Sequence, residues 1–445
     1  MSLSMSLSRA LVRLIRGQPT QPHDLEAAER YVRDWLGCHV AGRATSAGAA
    51  LTSYGQGTVD LEGRVFLAAA LSHITETDDL HRGSVTHPGC VVIPTALLLT
   101  RDREGTGAQA LRAVLAGYEA ILRVGESLGE EHYKTFHNTA TAGVFGSAAA
   151  ACSVLDLDED AWVWAMGNAG TQASGLWQFN EDATMSKHLH AGHAAAAGVR
   201  AALLAARGFT GPSEILEGAK GFFRAFCPDP VPDAITREVI GWKLPETSMK
   251  PYPCCRHTHP AIDAALEIRD SLEGGPGGDL TADHIASVRI LTYPAALDVT
   301  NRPRPTTPYA AKFSMQYCVA RSLASGPPDL TSFEPNELTS DVLREWMRKT
   351  TVEVDPRYEA AYPSHWGAEV VTTGVDGTLH RASRKDAVGD PERPLDNSAL
   401  NQKVLGLLDY GGVEGPTASD LLKECQALAE AAQVFSLPPL NAVES

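Results

Sequence analysis

The feature that most limits what this chain can become is a helical apolar rhythm, rich in alanine and glycine, that runs almost unbroken from about Leu25 to Gly218. Segments such as ALRAVLAGYEAILRVGESLG (110–129) and HAAAAGVRAALLAARG (193–208) place apolar residues on one helical face turn after turn, which predicts a helix bundle. Gly129, Gly208 and Gly218 stand where helices should end, and Asp158 or Ser213 where they should begin. The leading MSLSMSLSRALVRLIRG is too short and too charged for a signal or a membrane span and reads as a first amphipathic helix.

The rhythm stops after Pro228, at PDPVPDAIT, and strand-like alternation follows. VRILTY (288–293) and TVEVD (351–355) read as strands, and AEVVTTG with GTLHRAS as a hairpin turning at Val375, Asp376 and Gly377. Two helices are expected in the same region, over 260–272 ahead of the strands and 310–326 among them. From Asn397 the pattern is helical again, in NQKVLGLLDYGG and TASDLLKECQALAEAAQVF. At 445 residues the chain exceeds what one core usually holds. The expected organisation is mainly α: an all-helical domain over 1–235, a smaller α/β lid domain over 236–393, and C-terminal helices over 394–445 that complete the helical domain.

A net charge of −16, from 54 acidic against 38 basic side chains, argues against nucleic acid or an anionic membrane surface as partner. A small anion remains open as ligand, because screening confines charge effects to about 8 Å and a local cluster of cations overrides the global sign. The eight cysteines are scattered in apolar contexts, which points to reduced thiols and a cytoplasmic protein.

Five segments concentrate polar chemistry. His73, Glu76, Asp78, Asp79 and His81, followed by His87-Pro88, set carboxylates and imidazoles where a helix gives way to a loop, a place for acid–base work; the plainer reading is a solvated helix end capped by Asp79. His137 and Asn138 precede a helix whose Gly143 and Gly146 suit close helix packing better than a nucleotide loop, and amides at its start favour an anion. Lys187, ahead of a small-residue helix, is the most telling cation; the neighbouring His188, His190 and His193 lack a suitably spaced acidic ligand, so no metal is expected. Lys250, Arg256, His257 and His259 make a positive patch in an acidic protein, and the vicinal Cys254 and Cys255 read as free thiols. Arg302 is placed to make a bidentate carboxylate contact, or is simply surface.

In this order the segments resemble the MmgE/PrpD family along essentially the whole chain. The resemblance is carried by His73-x-x-Glu76-x-Asp78-Asp79, His87-Pro88, His137 before a Gly/Ala-rich helix, Lys187-x-Leu-x-x-Gly192-x-Ala-Ala, and Lys250-x-Tyr-Pro with His259 and Asp263 beyond. It implies a homodimer with no metal or organic cofactor, acting on a small di- or tricarboxylate. The residues it implies to face the substrate are Glu76, Leu80, His87, His137, Lys187 and Lys250; Glu76, His87, His137, Lys187 and Lys250 are the expected catalytic residues, and Asp78, Leu80, His81, Arg302 and His259 the expected substrate contacts. Glu76 stands where relatives usually carry Asp, and Leu80 where a Thr is common. A longer acid moves its carboxyl by roughly 1 Å, enough to change which substrate reacts.

The chemistry such a site implies is a carbanion beside a carboxylate, with Lys187, Lys250 and Arg302 neutralising the charge that builds up. His137 or His87 would move the α-proton and Glu76 would serve as partner acid. Loss of water, as in 2-methylcitrate dehydratase, is the favoured outcome. Loss of carbon dioxide of the cis-aconitate type, and return of the proton to the other face as in an iminodisuccinate-type epimerase, are alternatives. An inactive polycarboxylate-binding relative is the alternative from another class.

Overall fold

Helices form where the small-residue rhythm asks for them. The computed structural model describes residues 5–57, 60–182, 184–273 and 281–438, and the protein is mainly α-helical with one four-stranded sheet. The chain divides into two compact units: residues 1–74, 78–248 and 396–445 form a helical unit, and residues 75–77 with 249–395 an α/β unit.

In the helical unit, five helices carry the site: Leu61–Ser72, Pro88–Asp102, Gly107–Glu126, Asn138–Val154 and Ser186–Ala205. Their close approach is written in glycine. A Cβ on Gly117 would lie 2.9 Å from the Gly146 carbonyl, and one on Gly198 would lie 2.4 Å from the Ser147 Cβ. Ser147 uses that closeness: its hydroxyl donates to the Ala195 carbonyl at 2.6 Å and meets Thr95 Oγ1 at 2.9 Å, tying three helices through buried polar groups. Gly143 and Gly146 therefore serve packing.

The expected first helix is Leu7–Gly17, with Leu11, Val12 and Ile15 buried. Asp158 caps the Glu159–Gly170 helix by accepting from the Ala161 N–H at 2.9 Å. Ser213 begins no helix, and Gly218 lies in turns rather than at a helix end. The C-terminal Asn397–Tyr410 helix packs on Pro22–Arg43, where Arg33 donates to Asn401 Oδ1 at 2.6 Å and Lys403 pairs with Asp34. The last helix ends at Gln426, short of the 435 expected from its sequence, and a single 3-10 turn follows. Residues 236–248 stay with the helical unit, where Leu80 and Ser248 exchange backbone hydrogen bonds of 2.9 and 2.8 Å. Among the described residues no helix is long and apolar enough to cross a membrane.

The α/β unit has strands β1 (Ile285–Thr292), β2 (Thr350–Val354), β3 (Ala368–Gly374) and β4 (Leu379–Arg384), in the order β2-β1-β3-β4. β1 pairs parallel with β2 and antiparallel with β3, and β3–β4 is the expected hairpin, with Gly377 at φ 85° in its turn. The His259–Glu273 helix packs on β3 and β4. The helix expected over 310–326 is two: Pro308–Lys312, and Met315–Ser325 started by Ser314, whose Oγ accepts from the Tyr317 N–H at 3.1 Å. A serine able to satisfy an unpaired amide restarts the helix there.

Candidate active site

In the helical unit the ends of four helices meet. His73 follows the Leu61–Ser72 helix, His87 and His137 are the N-cap residues of Pro88–Asp102 and Asn138–Val154, and Lys187 lies in the first turn of Ser186–Ala205. All four side chains are buried. The His73 ring stacks on His137, with centroids 5.7 Å apart and planes 12° apart, and meets His87 edge-on at 4.8 Å. The His87 N–H donates to Thr139 Oγ1 at 3.0 Å, which fixes the starts of two helices against each other.

Asp78 organises these rings. Its Oδ2 lies 2.6 Å from His73 Nδ1 and 3.2 Å from His87 Nδ1. Burial pushes this carboxyl up, but the charges of His73 and His87 and their hydrogen bonds outweigh it and hold it well below the usual carboxylate range. Asp78 Oδ1 and His73 Nε2 are buried without hydrogen-bond partners among the described residues. Two orphaned polar atoms on adjoining side chains suit a site that meets a polar ligand.

Asp79 behaves oppositely. Burial, with Asp78 and Asp34 nearby, pushes its carboxyl up to about 8, against the hydrogen bonds from the Tyr118 hydroxyl at 2.6 Å and the Gly89 N–H at 3.0 Å. It does cap a helix, though the one that follows, and its backbone carbonyl lies 2.7 Å from His87 Nδ1.

His137 is kept neutral first by burial and then by His73, Lys187, His190 and His87, which hold it well below the usual imidazole value. Trp177 and Phe179 wall it at 5.2 and 5.9 Å. Lys187 is close enough to act electrostatically on both His137 and Cys90. His73, Asp78 and Cys90 bring ligand atoms within 4.8 Å of one another. As a metal centre this set is a poor fit: Asp78 is committed to two imidazoles, and burial keeps Cys90 a thiol whose Sγ donates to the His87 carbonyl at 3.1 Å.

Two expected contact residues of this unit point to other partners. His81 joins Ser84, at 2.9 Å, and a charge network in which Lys243 holds Glu126 at 3.0 Å and Glu246 at 2.6 Å. Leu80 is buried in its bridge to Ser248.

In the α/β unit, Lys250 Nζ lies 3.4 Å from Glu76 Oε2 and 3.2 Å from the Glu76 carbonyl, with both side chains buried. Glu76 has φ 60°, a left-handed backbone that a glutamate adopts only when its surroundings impose it. His259 spends both ring nitrogens on structure, Nδ1 with Arg256 at 2.8 Å and Nε2 with the Cys254 carbonyl at 3.3 Å. Asp263 accepts from Tyr252 at 2.8 Å and from the Val388 N–H at 2.7 Å. The Arg302 guanidinium lies over the Phe313 ring, 5.6 Å from its centroid. All eight cysteines are buried and none is in a disulfide.

His73 is the residue that sequence reasoning underrated. It was read as part of a motif, yet it touches every other ring of the cluster, and only its place immediately after an apolar helix hinted at burial.

Fold and site together describe a helical protein in which three helix N-termini and a lysine surround a carboxylate-organised set of imidazoles, an arrangement for proton transfer beside an anion. The MmgE/PrpD N-terminal domain matches residues 12–234 and the MmgE/PrpD C-terminal domain residues 252–426, so the chain belongs to the MmgE/PrpD family. It is 28% identical over 351 residues to a cis-aconitate decarboxylase of Mus musculus, covering 76% of this chain and 70% of that one. Over 409 residues it is 27% identical to the cis-aconitate decarboxylase of Homo sapiens, covering 85% and 82%. A cis-aconitate decarboxylase of Aspergillus terreus is 25% identical over 286 residues, covering 60% and 57%.

Proposed function

We propose that the protein is a lyase acting on a small di- or tricarboxylate without metal or organic cofactor, and that its reaction is loss of carbon dioxide from a cis-aconitate-type substrate. The observation that carries the reading is the cluster in which Asp78, an ionised carboxylate, holds His73 and His87 beside a neutral His137, with Lys187 at hand. The named relatives support the choice of leaving group.

In the reaction, the bond from carbon to one carboxylate breaks, carbon dioxide leaves, and the electron pair stays on the carbon framework. Lys187 offsets the charge that develops. An imidazole, His137 or His87, delivers the proton that quenches the carbanion; Asp78 holds His87 directly, and holds the His73 ring on which His137 stacks.

Loss of water, as from 2-methylcitrate, is the second reading. What favours it is the hydrogen bond from Lys250 to Glu76: the ammonium carries a proton that a departing hydroxide needs and decarboxylation does not. Incubation with cis-aconitate and with 2-methylcitrate, following carbon dioxide and alkene formation, separates the two. Lys187→Ala should lose at least about a hundredfold in kcat/KM. Full activity in that variant would remove the proposed anion grip, and thermal stabilisation by both acids without turnover would leave a binding protein.

A further inference from the structure

Each decarboxylation consumes one proton, because the carbon that loses carbon dioxide must gain hydrogen. His137 is only 2% exposed and His73 fully buried, so while substrate fills the site a second route is needed to bring that proton to His137. One side chain bridges the gap. His190 Nδ1 lies 3.4 Å from His137 Nδ1, its ring sits edge-on to Phe179 at 5.3 Å, and it is half-buried. It also lines a hollow of about 550 Å³ in the helical unit, together with Ser174, Gln178, Thr184, Ser186 and His193. No lysine or arginine is among the described residues lining it, and Asp182 is, so the hollow repels a polycarboxylate; Leu176, Phe179 and Leu189 make much of its wall apolar, and its hydroxyl, amide and imidazole groups are the places for water.

We propose that His190 is the proton relay of the site, passing protons from water in this hollow to the buried His137. The assignment rests on the reading of the imidazole cluster as the place of proton transfer. Imidazole suits the task because its two nitrogens can take a proton on one side and release one on the other, so no net charge need stay on the ring. His190 Nδ1 gives its proton to His137 Nδ1 as His137 releases its Nε2 proton to the carbanion. His190 Nε2 then takes a proton from water, and the hydroxide left behind is taken up by the released carbon dioxide as bicarbonate. Each ring is now in its other tautomer, and the pair resets after product leaves, when water in the vacated site protonates His137 Nε2, His137 Nδ1 returns its proton to His190 Nδ1, and His190 Nε2 releases one to the hollow. Gly175 keeps the pair close: its carbonyl accepts the His137 N–H at 3.0 Å, and a Cβ there would stand 3.3 Å from His190 Nδ1.

His190→Ala should lower kcat on the substrate proposed above by about tenfold or more with little change in KM. Added imidazole should restore the rate through the emptied hollow, while the wild-type rate should not respond to it. His190→Gln, which keeps a polar side chain but cannot relay, should be slow and not rescued. A purely structural role would show neither the buffer dependence nor the split between kcat and KM. A wild-type rate in His190→Ala, or a slow rate indifferent to imidazole and other small amines, overturns the proposal. Should the variants not fold, nitrogen-15 spectra of the unliganded wild-type protein decide it: scalar coupling between the two Nδ1 atoms is expected, and its absence overturns the relay. Failure of the wild-type protein to turn over any polycarboxylate strikes instead at the lyase reading, and the coupling is measured independently of it.

Discussion

The imidazole cluster of the helical unit and the Lys250–Glu76 pair of the α/β unit are equally buried but held by opposite means. His87 and His137 are N-caps of regular helices, and Lys187 lies in the first turn of another, so glycine-mediated packing fixes them. Lys250 and Glu76 lie on irregular backbone: Glu76 is left-handed, and the strand-less stretch around Lys250 is anchored by the Met249 N–H on the Gly389 carbonyl at 2.9 Å. The electrostatics differ too. The cluster depends mainly on Asp78, whose carboxyl the imidazoles hold low, beside a His137 that burial keeps neutral, whereas the pair is a single lysine–carboxylate ion pair. The imidazoles sit at the ends of regular helices, and the charge pair on irregular backbone.

The comparison breaks first at Asp78. Asp78→Asn keeps the shape but removes the charge that orients two imidazoles, and kcat on the active polycarboxylate should fall on the order of a thousandfold, with urea unfolding little changed in cooperativity. A loss under tenfold would mean the cluster is structural. In the α/β unit the corresponding test is of stability. Lys250→Met strands the Glu76 carboxylate and should cost about 3 kcal/mol in urea unfolding, much of it recovered in Lys250→Met/Glu76→Gln. Equal losses in the single and double variants would show that the pair does not act as one.

Packing is the next contrast. Gly198→Ala forces a methyl against Ser147 and should destabilise by about 2 kcal/mol, together with a drop in activity because the helix carrying Lys187 must shift. Gly389→Ala, at φ 88° with the Met249 carbonyl 1.9 Å from the new Cβ, should cost at least as much in melting temperature.

Acid should weaken both units. Burial lowers His190 to about 4, helped by His73 and His193, and lowers His257 to about 3. These imidazoles are neutral in the folded protein, so below about 6.5 the unfolded chain binds protons that the folded chain does not, and stability falls as pH drops towards the folded values. His257→Gln should flatten the slope of unfolding free energy between pH 6.5 and 4; an unchanged slope would show that His257 is charged when folded. Asp79, with its carboxyl raised, carries the opposite sign: Asp79→Asn should gain on wild type as pH rises from 4 to 8. The smallest expected effect is Asp156→Gly, where φ 48° after the Asn138–Val154 helix should yield a gain of about 0.5–1 kcal/mol.

How much was legible varies with the distance along the chain that each feature spans. The β3–β4 hairpin and its Asp-Gly turn follow from contiguous residues, as does the cap at Asp158. The break at Ser314 was equally local but hidden by an apolar pattern that runs straight through it. Among the histidines, His81 and His87 look alike in sequence. The first is held by Ser84, Glu126 and Glu246, the second by Asp78 and Thr139, and neighbouring residues say little about which remote partners each will meet. His259 likewise looked like part of an open positive patch until Arg256 and the Cys254 carbonyl occupied its ring.

The sequence alone determined that helices would carry most of the chain, where their small residues would let them approach, and which segments hold groups able to move protons or bind an anion. Those properties depend on periodicity and composition within single elements. Which histidines stack, which of two adjacent aspartates is ionised and which carries its proton, and which imidazole borders the hollow were decided only by the tertiary structure. Burial and the placement of charges from distant segments set these, and neither is a property of residues taken in order.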